Sequence, residues 1–351
     1  MFQVTSLCSC YPHRRPCRHL THQGSLVRPE KLPYFQRLLD NFPNLTSIAL
    51  IGARGGIPWA ILRHCFSRPS IISLSFDPES QLSHEVSTPD NEESISPITL
   101  THFSCNISLW RELAVGSHVV RTDMRLRWDR EATCLEAIVP HMNQTAIHLT
   151  LPLETAPLRS MASRPWPRLR ELCLYGQYLN DEHAALLSTL LPSLSTLRRL
   201  SVVGARSRAL KRPPIIGSHP SPSTLFPELR SLTVAYPDPE DPLFSMDASR
   251  LTHLSLRDCP RYYNRIGFGD GYLQIWGSPN LTSSECLGIL RRMEMPMLTS
   301  LELVYSSAKA GSDDDLLEHI ASAYPRLSHL ELHRYRVQRS EKVVDYVSSH
   351  S

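Results

Sequence analysis

The sequence contains no run of about eighteen apolar residues, so none of its helices is expected to cross a membrane. Its start lacks a basic segment followed by an apolar stretch, and no secretory signal is legible there. Neither sign of charge dominates: 37 Lys and Arg stand against 34 Asp and Glu, a net charge of +3. Nucleic-acid or membrane binding would need clustered charge, so neither partner is expected. Paired metal-ligand spacing is missing too. Cys8, Cys10, His13, Cys17 and His19 follow no C-x2-C framework, and the nine cysteines are scattered singly, as reduced thiols of an intracellular protein of the cytoplasm or nucleus would be. Gly267-Phe268-Gly269-Asp270-Gly271 has neither the strand–turn–helix context nor the Lys-Ser/Thr pair of a phosphate loop. No Ser-His-Asp order, H-E-x-x-H or paired-carboxylate motif occurs. The chain is therefore not expected to be an enzyme, and no cofactor or metal is expected.

What is present is one phrase, repeated. Trp166–Leu174 reads WPRLRELCL, with Leu169-x-x-Leu172-x-Leu174 behind an aromatic–Pro pair. It returns as FPNLTSIAL at Phe42, FPELRSLTV at Phe226, SRLTHLSL at Ser249, MPMLTSLEL at Met295 and YPRLSHLEL at Tyr324, with weaker copies from Arg68 and Ser195. Neighbouring copies lie roughly 22–32 residues apart, a strand followed by a return segment. Apolar periodicity predicts return helices over 34–41, 59–66, 131–141, 284–293 and 314–323, one after Asn180 as N-cap, and a last one near 341–347. Between 98 and 151 the phrase blurs: Ile98-x-Leu100 with Phe103, Met124-x-Leu126-x-Trp128 and Ile147-x-Leu149-x-Leu151 read as strands. Residues 1–30 read as a poorly ordered basic tail. Residues 31–351 read as one repeat domain with insertions near 77–96, 205–225 and 258–281. Arg206, Arg208, Lys211 and Arg212 form a compact basic patch, expected to be a solvated loop.

Such repeats predict an α/β fold, a curved leucine-rich repeat solenoid with irregular units. The three apolar residues of each phrase point inward, parallel strands line the concave face and return helices the convex one. The usual Asn, separated from the last Leu by two residues, is replaced by Ala53, Gln177, Ala205, Pro237, Cys259, Ser306 and Tyr335. The turns are therefore expected to satisfy their backbone groups by other means.

The aromatic-Pro-x-Leu-x-x-Leu-x-Leu phrase with irregular spacing resembles the leucine-rich-repeat region of fungal, basidiomycete-like F-box proteins, over roughly residues 31–347. The resemblance implies repeats that hold the substrate of an SCF-type ubiquitin ligase, behind an F-box that docks on a Skp1-type adaptor. Here Leu32-Pro33, where an F-box would start, is followed almost at once by the first repeat phrase. Three helices do not fit between them, so the adaptor is not an expected partner of this chain by itself.

Side chains between the inward leucines should face the concave surface. They include Glu171, Tyr175, Arg199, Ser201, Thr233, His253, Arg257, Glu302, His329, Glu331 and His333, the expected binding face. Small hydroxyls dominate its middle, and mixed charge gathers toward the C-terminal end. Such a face suits a modestly polar protein surface, making the chain a protein-interaction module; a stand-alone scaffold with no ubiquitin role is the alternative. A site of chemistry would need His253, His329 or His333 to converge with Glu302 and Glu331. His329 and His333 lie roughly 13 Å apart along one strand and do not share an ion.

Overall fold

The computed structural model describes residues 17–24, 26, 31–53, 56–77, 80, 82, 98–105, 121–178, 181–205, 212, 214–217, 225–259, 261, 280–307 and 313–336. Among these residues twelve parallel strands form one sheet: β1 (His19–Gln23), β2 (Ser47–Ile51), β3 (Ser73–Phe76), β4 (His102–Cys105), β5 (His148–Pro152), β6 (Glu171–Gln177), β7 (Arg199–Ala205), β8 (Ser231–Ala235), β9 (His253–Arg257), β10 (Leu281–Thr282), β11 (Ser300–Ser307) and β12 (His329–Arg336). Each strand pairs with the next in chain order, except that β11 lies beside β9 and pairs with both β10 and β12. Between strands run α1 (Lys31–Asp40), α2 (Trp59–Phe66), α3 (Arg121–Ile138), α4 (Leu158–Ala162), α5 (Asp181–Leu190), α6 (Ser283–Arg292) and α7 (Asp314–Ala323). Neighbouring parallel strands require such crossovers. The result is an α/β protein built around a single parallel sheet.

The repeated phrase has a direct physical reading. Its aromatic–Pro–x–Leu half is a β-turn with Pro at the second position, where a fixed φ costs nothing. The Leu N–H donates back to the carbonyl of the residue before Pro in Phe42–Leu45 (3.0 Å), Trp166–Leu169 (3.3 Å), Phe226–Leu229 (2.9 Å), Met295–Leu298 (3.1 Å) and Tyr324–Leu327 (3.1 Å). Pro and its successor face outward, while Trp166, Phe226, Met295 and Tyr324 are buried. The polar ends of the aromatics find backbone acceptors: Trp166 Nε1 donates to Met161 O at 2.9 Å and the Tyr324 hydroxyl to Leu290 O at 3.3 Å.

Just ahead of each strand a second device repeats. The carbonyl of one repeat takes two consecutive N–H groups of the next: Arg18 O from Thr46 and Ser47, Thr101 O from Ile147 and His148, Arg170 O from Arg198 and Arg199, Arg230 O from Thr252 and His253, Thr299 O from Ser328 and His329. Where the first of the pair is Thr or Ser, its hydroxyl donates to the same oxygen, as from Thr46 (3.1 Å), Thr101 (3.1 Å), Thr252 (3.0 Å) and Thr299 (3.0 Å). This ladder fixes register from repeat to repeat. At the far ends of the strands, acidic side chains stand in for the missing Asn. Asp77 accepts from Gly52 N (3.0 Å), and Glu154 accepts from Gln177 N (3.1 Å). Glu154 lies where a Cβ on Gly176 would be, 1.8 Å from that position, and Gly176 has φ of 142°, so only glycine fits there.

The inward row is buried. Ile48, Leu74, Phe103, Leu149, Leu172, Leu200, Leu232, Leu254 and Leu301, which occupy matching positions on successive strands, are all fully buried. Together with helix residues such as Phe35, Ile61, Leu135, Leu187, Ile289 and Leu316 they form one continuous core. Only on β12, the last described strand, does the row open, with Leu330 43% exposed.

The structure corrects several expectations. The sheet begins inside the expected tail: β1 pairs with β2 from His19↔Ser47 to Gln23↔Ile51, and His22 packs edge-on against Phe35 with ring centroids 5.6 Å apart. Its backbone groups on the inner side are thereby paired with β2, whose edge it covers. Met124-x-Leu126-x-Trp128 is helix, not strand. Leu126 is 49% exposed, and the buried set Glu131, Cys134, Leu135 and Ile138 keeps helical spacing. Residues 98–100 lead into β4 rather than forming a strand, although Ile98 and Leu100 are buried. No return helix is expected between β8 and β9, and the return there carries a 3-10 turn, Pro242–Ser245, capped by Asp241 through Leu243 N at 2.8 Å. Arg212 is not a solvated loop charge. It holds Glu285 on α6 (2.8 and 3.4 Å) and Asn280 O (3.0 Å). Arg206, Arg208, Lys211, Asn180, Cys8, Cys10, His13, the segment Gly267–Gly271 and the helix expected near 341–347 lie outside the described residues. No described helix is long and apolar enough to cross a membrane.

Candidate binding face

The side chains opposite the leucine row line up in three files across the strands. The first runs His19, Ser47, Ser73, His102, His148, Glu171, Arg199, Ser231, His253, Ser300, His329. The second runs Thr21, Ala49, Ser75, Ser104, Thr150, Cys173, Ser201, Thr233, Ser255, Glu302, Glu331. Tyr175 is paired with Val203, Ala235 with Arg257 and Val304 with His333 in the third. Every residue expected on the face thus lies in one of these files, yet the structure groups them into separate clusters.

His102 and His148, which the sequence pattern did not single out, open the first cluster. Their rings stack with centroids 6.0 Å apart. His148 Nδ1 meets Glu171 Oε2 at 3.0 Å, and its Nε2 meets Thr150 Oγ1 at 3.0 Å. Burial, and then the neighbouring His148, hold the His102 pKa below the ordinary imidazole value. The signal was present: once Ile147-x-Leu149-x-Leu151 is read as a strand, His148 must point the other way.

A recess of about 530 Å³ occupies the face between β6 and β9. Glu171, Tyr175, Arg199, Ser201, Thr233 and His253 of the expected set line it, and Arg198 and Arg230 reach its rim from just ahead of β7 and β8. The Ser201 hydroxyl donates to the Tyr175 oxygen at 3.3 Å, and burial pushes the Tyr175 pKa up. Arg198 is held by Glu228 at 3.0 Å, and Arg199 lies 3.5 Å from Glu171. Arg230 has no ion pair among the described residues. Burial lowers the His253 pKa, and its Nδ1 is 3.0 Å from Ser300 Oγ.

The third cluster lies on β9, β11 and β12. Glu302 accepts from Ser255 Oγ at 2.6 Å and pairs with Arg261. Burial opposes its charge, but Ser255, Arg261 and Arg257 outweigh burial and keep its pKa low. Arg261 also reaches the buried Asp258 (3.3 Å), which accepts from the Tyr335 hydroxyl at 3.0 Å. Glu331 sits between two histidines, 2.5 Å from His333 Nε2 and 4.0 Å from His329 Nε2.

Donor atoms of Glu302, Glu331 and His333 all lie within 4.8 Å of one another, so part of the convergence that chemistry would require is met. His253 and His329 are outside it. The Arg261 guanidinium and the Ser255 hydroxyl occupy both Glu302 oxygens, and Arg257 adds a second positive charge beside it. A cation would have to displace an arginine to use Glu302, so the donor set fits a compensated charge network better than a metal centre. The described cysteines form no disulfide with one another, and burial pushes Cys65 and Cys286 up to about 12, far from a reactive thiolate.

No protein-family model matches the chain, and no curated protein matches it.

Proposed function

We propose that the chain is a leucine-rich repeat solenoid whose strand face, concave in such a stack, binds a protein partner. The observation that carries this reading is the recess on that face. Its lining comes from four adjacent strands whose backbone groups are already bonded to one another, so the side chains start from fixed positions and lose less freedom on binding than a loop would. The chemistry at the C-terminal end favours binding over catalysis, since its charged groups are engaged with each other. Substrate recognition for an SCF-type ubiquitin ligase is the biological setting the repeat resemblance suggests. In that setting the adaptor would have to be reached through another protein or segment, and purified Skp1-type adaptor is expected not to bind this chain by itself.

The test is affinity capture from a cell extract followed by titration of the purified partner. A Tyr175/Arg199/Arg257 triple alanine should abolish binding at physiological salt. Charge reversal of Arg206, Arg208 and Lys211 should change only the association rate and its salt dependence. Arg212 is left out of that variant because it holds Glu285. If the loop variant abolishes binding while the strand variant leaves it intact, the face assignment is wrong.

A further inference from the structure

We infer that the recess between β6 and β9 takes a phosphoryl group carried on a side chain of the partner protein; this rests on the strand face being the binding surface. Among the described residues, three guanidinium groups, Arg198, Arg199 and Arg230, surround it, and Glu171 is the one carboxylate in its lining. Glu171 is shared between His148 and Arg199, and Glu228 outside the recess holds Arg198, which leaves Arg230 without a counter-charge among the described residues. The Ser231 and Thr233 hydroxyls, one strand over from Arg199 and Ser201, also line the recess and donate to nothing among the described residues.

The number and arrangement of donors favour phosphoryl over carboxylate. A carboxylate offers two coplanar oxygens and is satisfied by one guanidinium fork. A phosphoryl group offers three acceptor oxygens in different directions and nearly two negative charges, which suits cations and hydroxyls arriving from neighbouring strands. The rest of the face favours a protein as the carrier. Toward β2–β5 the same files hold Ser47, Ser73, Ser75, Ser104 and Thr150 with His102 and His148 but no lysine or arginine, so among the described residues no track of permanent positive charge continues along the sheet as a nucleic-acid backbone would require. The aromatic ring of the recess, Tyr175, is tied to Ser201.

A phosphoserine peptide library with randomised flanks, its unphosphorylated counterpart and a glutamate counterpart would be presented to the full chain. The phosphorylated library should be retained about tenfold or more above both others, as charge-assisted bonds from several donors imply. Arg230→Ala should remove that preference, Arg230→Lys should restore part of it, and Arg326→Ala, which removes the same charge elsewhere, should leave it intact. Thermal melting would confirm that each variant is folded. Equal retention of the glutamate library, an unchanged Arg230→Ala variant, inorganic phosphate competing as well as the peptides, or an oligonucleotide displacing them would each overturn the assignment. The two readings fail differently. If phosphatase treatment of a captured partner changes nothing while the Tyr175/Arg199/Arg257 variant still loses it, the phosphoryl group is wrong and the binding face stands. If the partner survives both, the face itself is wrong.

Discussion

The two charged ends of the strand face share one backbone and one set of files, yet they reach opposite electrostatic outcomes. On β9, β11 and β12, Glu302 has Arg261 and Ser255, Asp258 has Arg261 and Tyr335, Glu331 has His333, and Asp313 has Arg334 at 2.7 Å. On β6–β9, guanidinium groups outnumber carboxylates and Arg230 points a full charge at an open recess. Paired, buried charge is costly to disturb and offers a ligand little; unpaired charge at a rigid rim is cheap to disturb and offers much. Similar strand phrases therefore carry either a mutually paired charge network or an open recess lined by guanidinium groups, depending on what fills the intervening positions.

The comparison rests on a common scaffold, and the largest effect tests that. Leu172 and Leu303 are fully buried on β6 and β11, one under each end. Leu172→Ala and Leu303→Ala should each cost about 2–5 kcal/mol through lost transfer energy and a cavity. Glu171→Ala, on the opposite face, should cost less than about 1 kcal/mol, since its partners are half-exposed and screened. Chemical-denaturation midpoints measure all three. Equal shifts for Leu172→Ala and Glu171→Ala would mean that the strand register is wrong.

A smaller effect separates the two ends directly. Glu302→Leu leaves Arg261 with Asp258 alone and takes the neighbouring carboxylate from Arg257 in a largely buried place, at a cost of roughly 3 kcal/mol. Arg230→Ala removes a charge with no partner among the described residues and should stay within about 0.5 kcal/mol. If both variants melt alike, the distinction between the paired network and the open recess disappears.

Much of this was legible in the residues, because a period of two around fixed leucines leaves no choice of face. Glu171, Tyr175, Arg199, Ser201, Thr233 and His253 were placed together on that ground alone, and they line one recess. What escaped has physical reasons. β1, reading HLTHQ, has one leucine and a histidine as its inward pair, too little apolar contrast to mark a strand. In the 124–128 stretch Leu126 is half-exposed, so no buried strand face enforces the alternation, and the helical spacing downstream won. The partners of Arg212 and Glu302 come from segments far along the chain: Glu285 for the first and Arg261, just past β9, for the second. The capping box Thr282-x-x-Glu285 was readable, and it places Glu285 at the start of α6 where Arg212 meets it.

The smallest effect joins the two ends. His253 lies on β9 between them, and its pKa is lowered first by burial, is raised by Glu302, and is lowered further by Arg199. Arg199→Ala should therefore raise the His253 pKa, and Glu302→Gln should lower it, each readable by following the imidazole resonances through a pH titration. The consequence for stability has a definite sign. With a folded pKa below the ordinary 6.5, the unfolded chain binds the proton more readily between the two values. The His253 contribution is then fully present above pH 6.5, declines as pH falls through that value, and levels off below the folded pKa. Arg199→Ala should flatten this decline and Glu302→Gln should steepen it. An unshifted His253 in both variants would show that it senses burial alone, and that the paired network and the recess do not share a field.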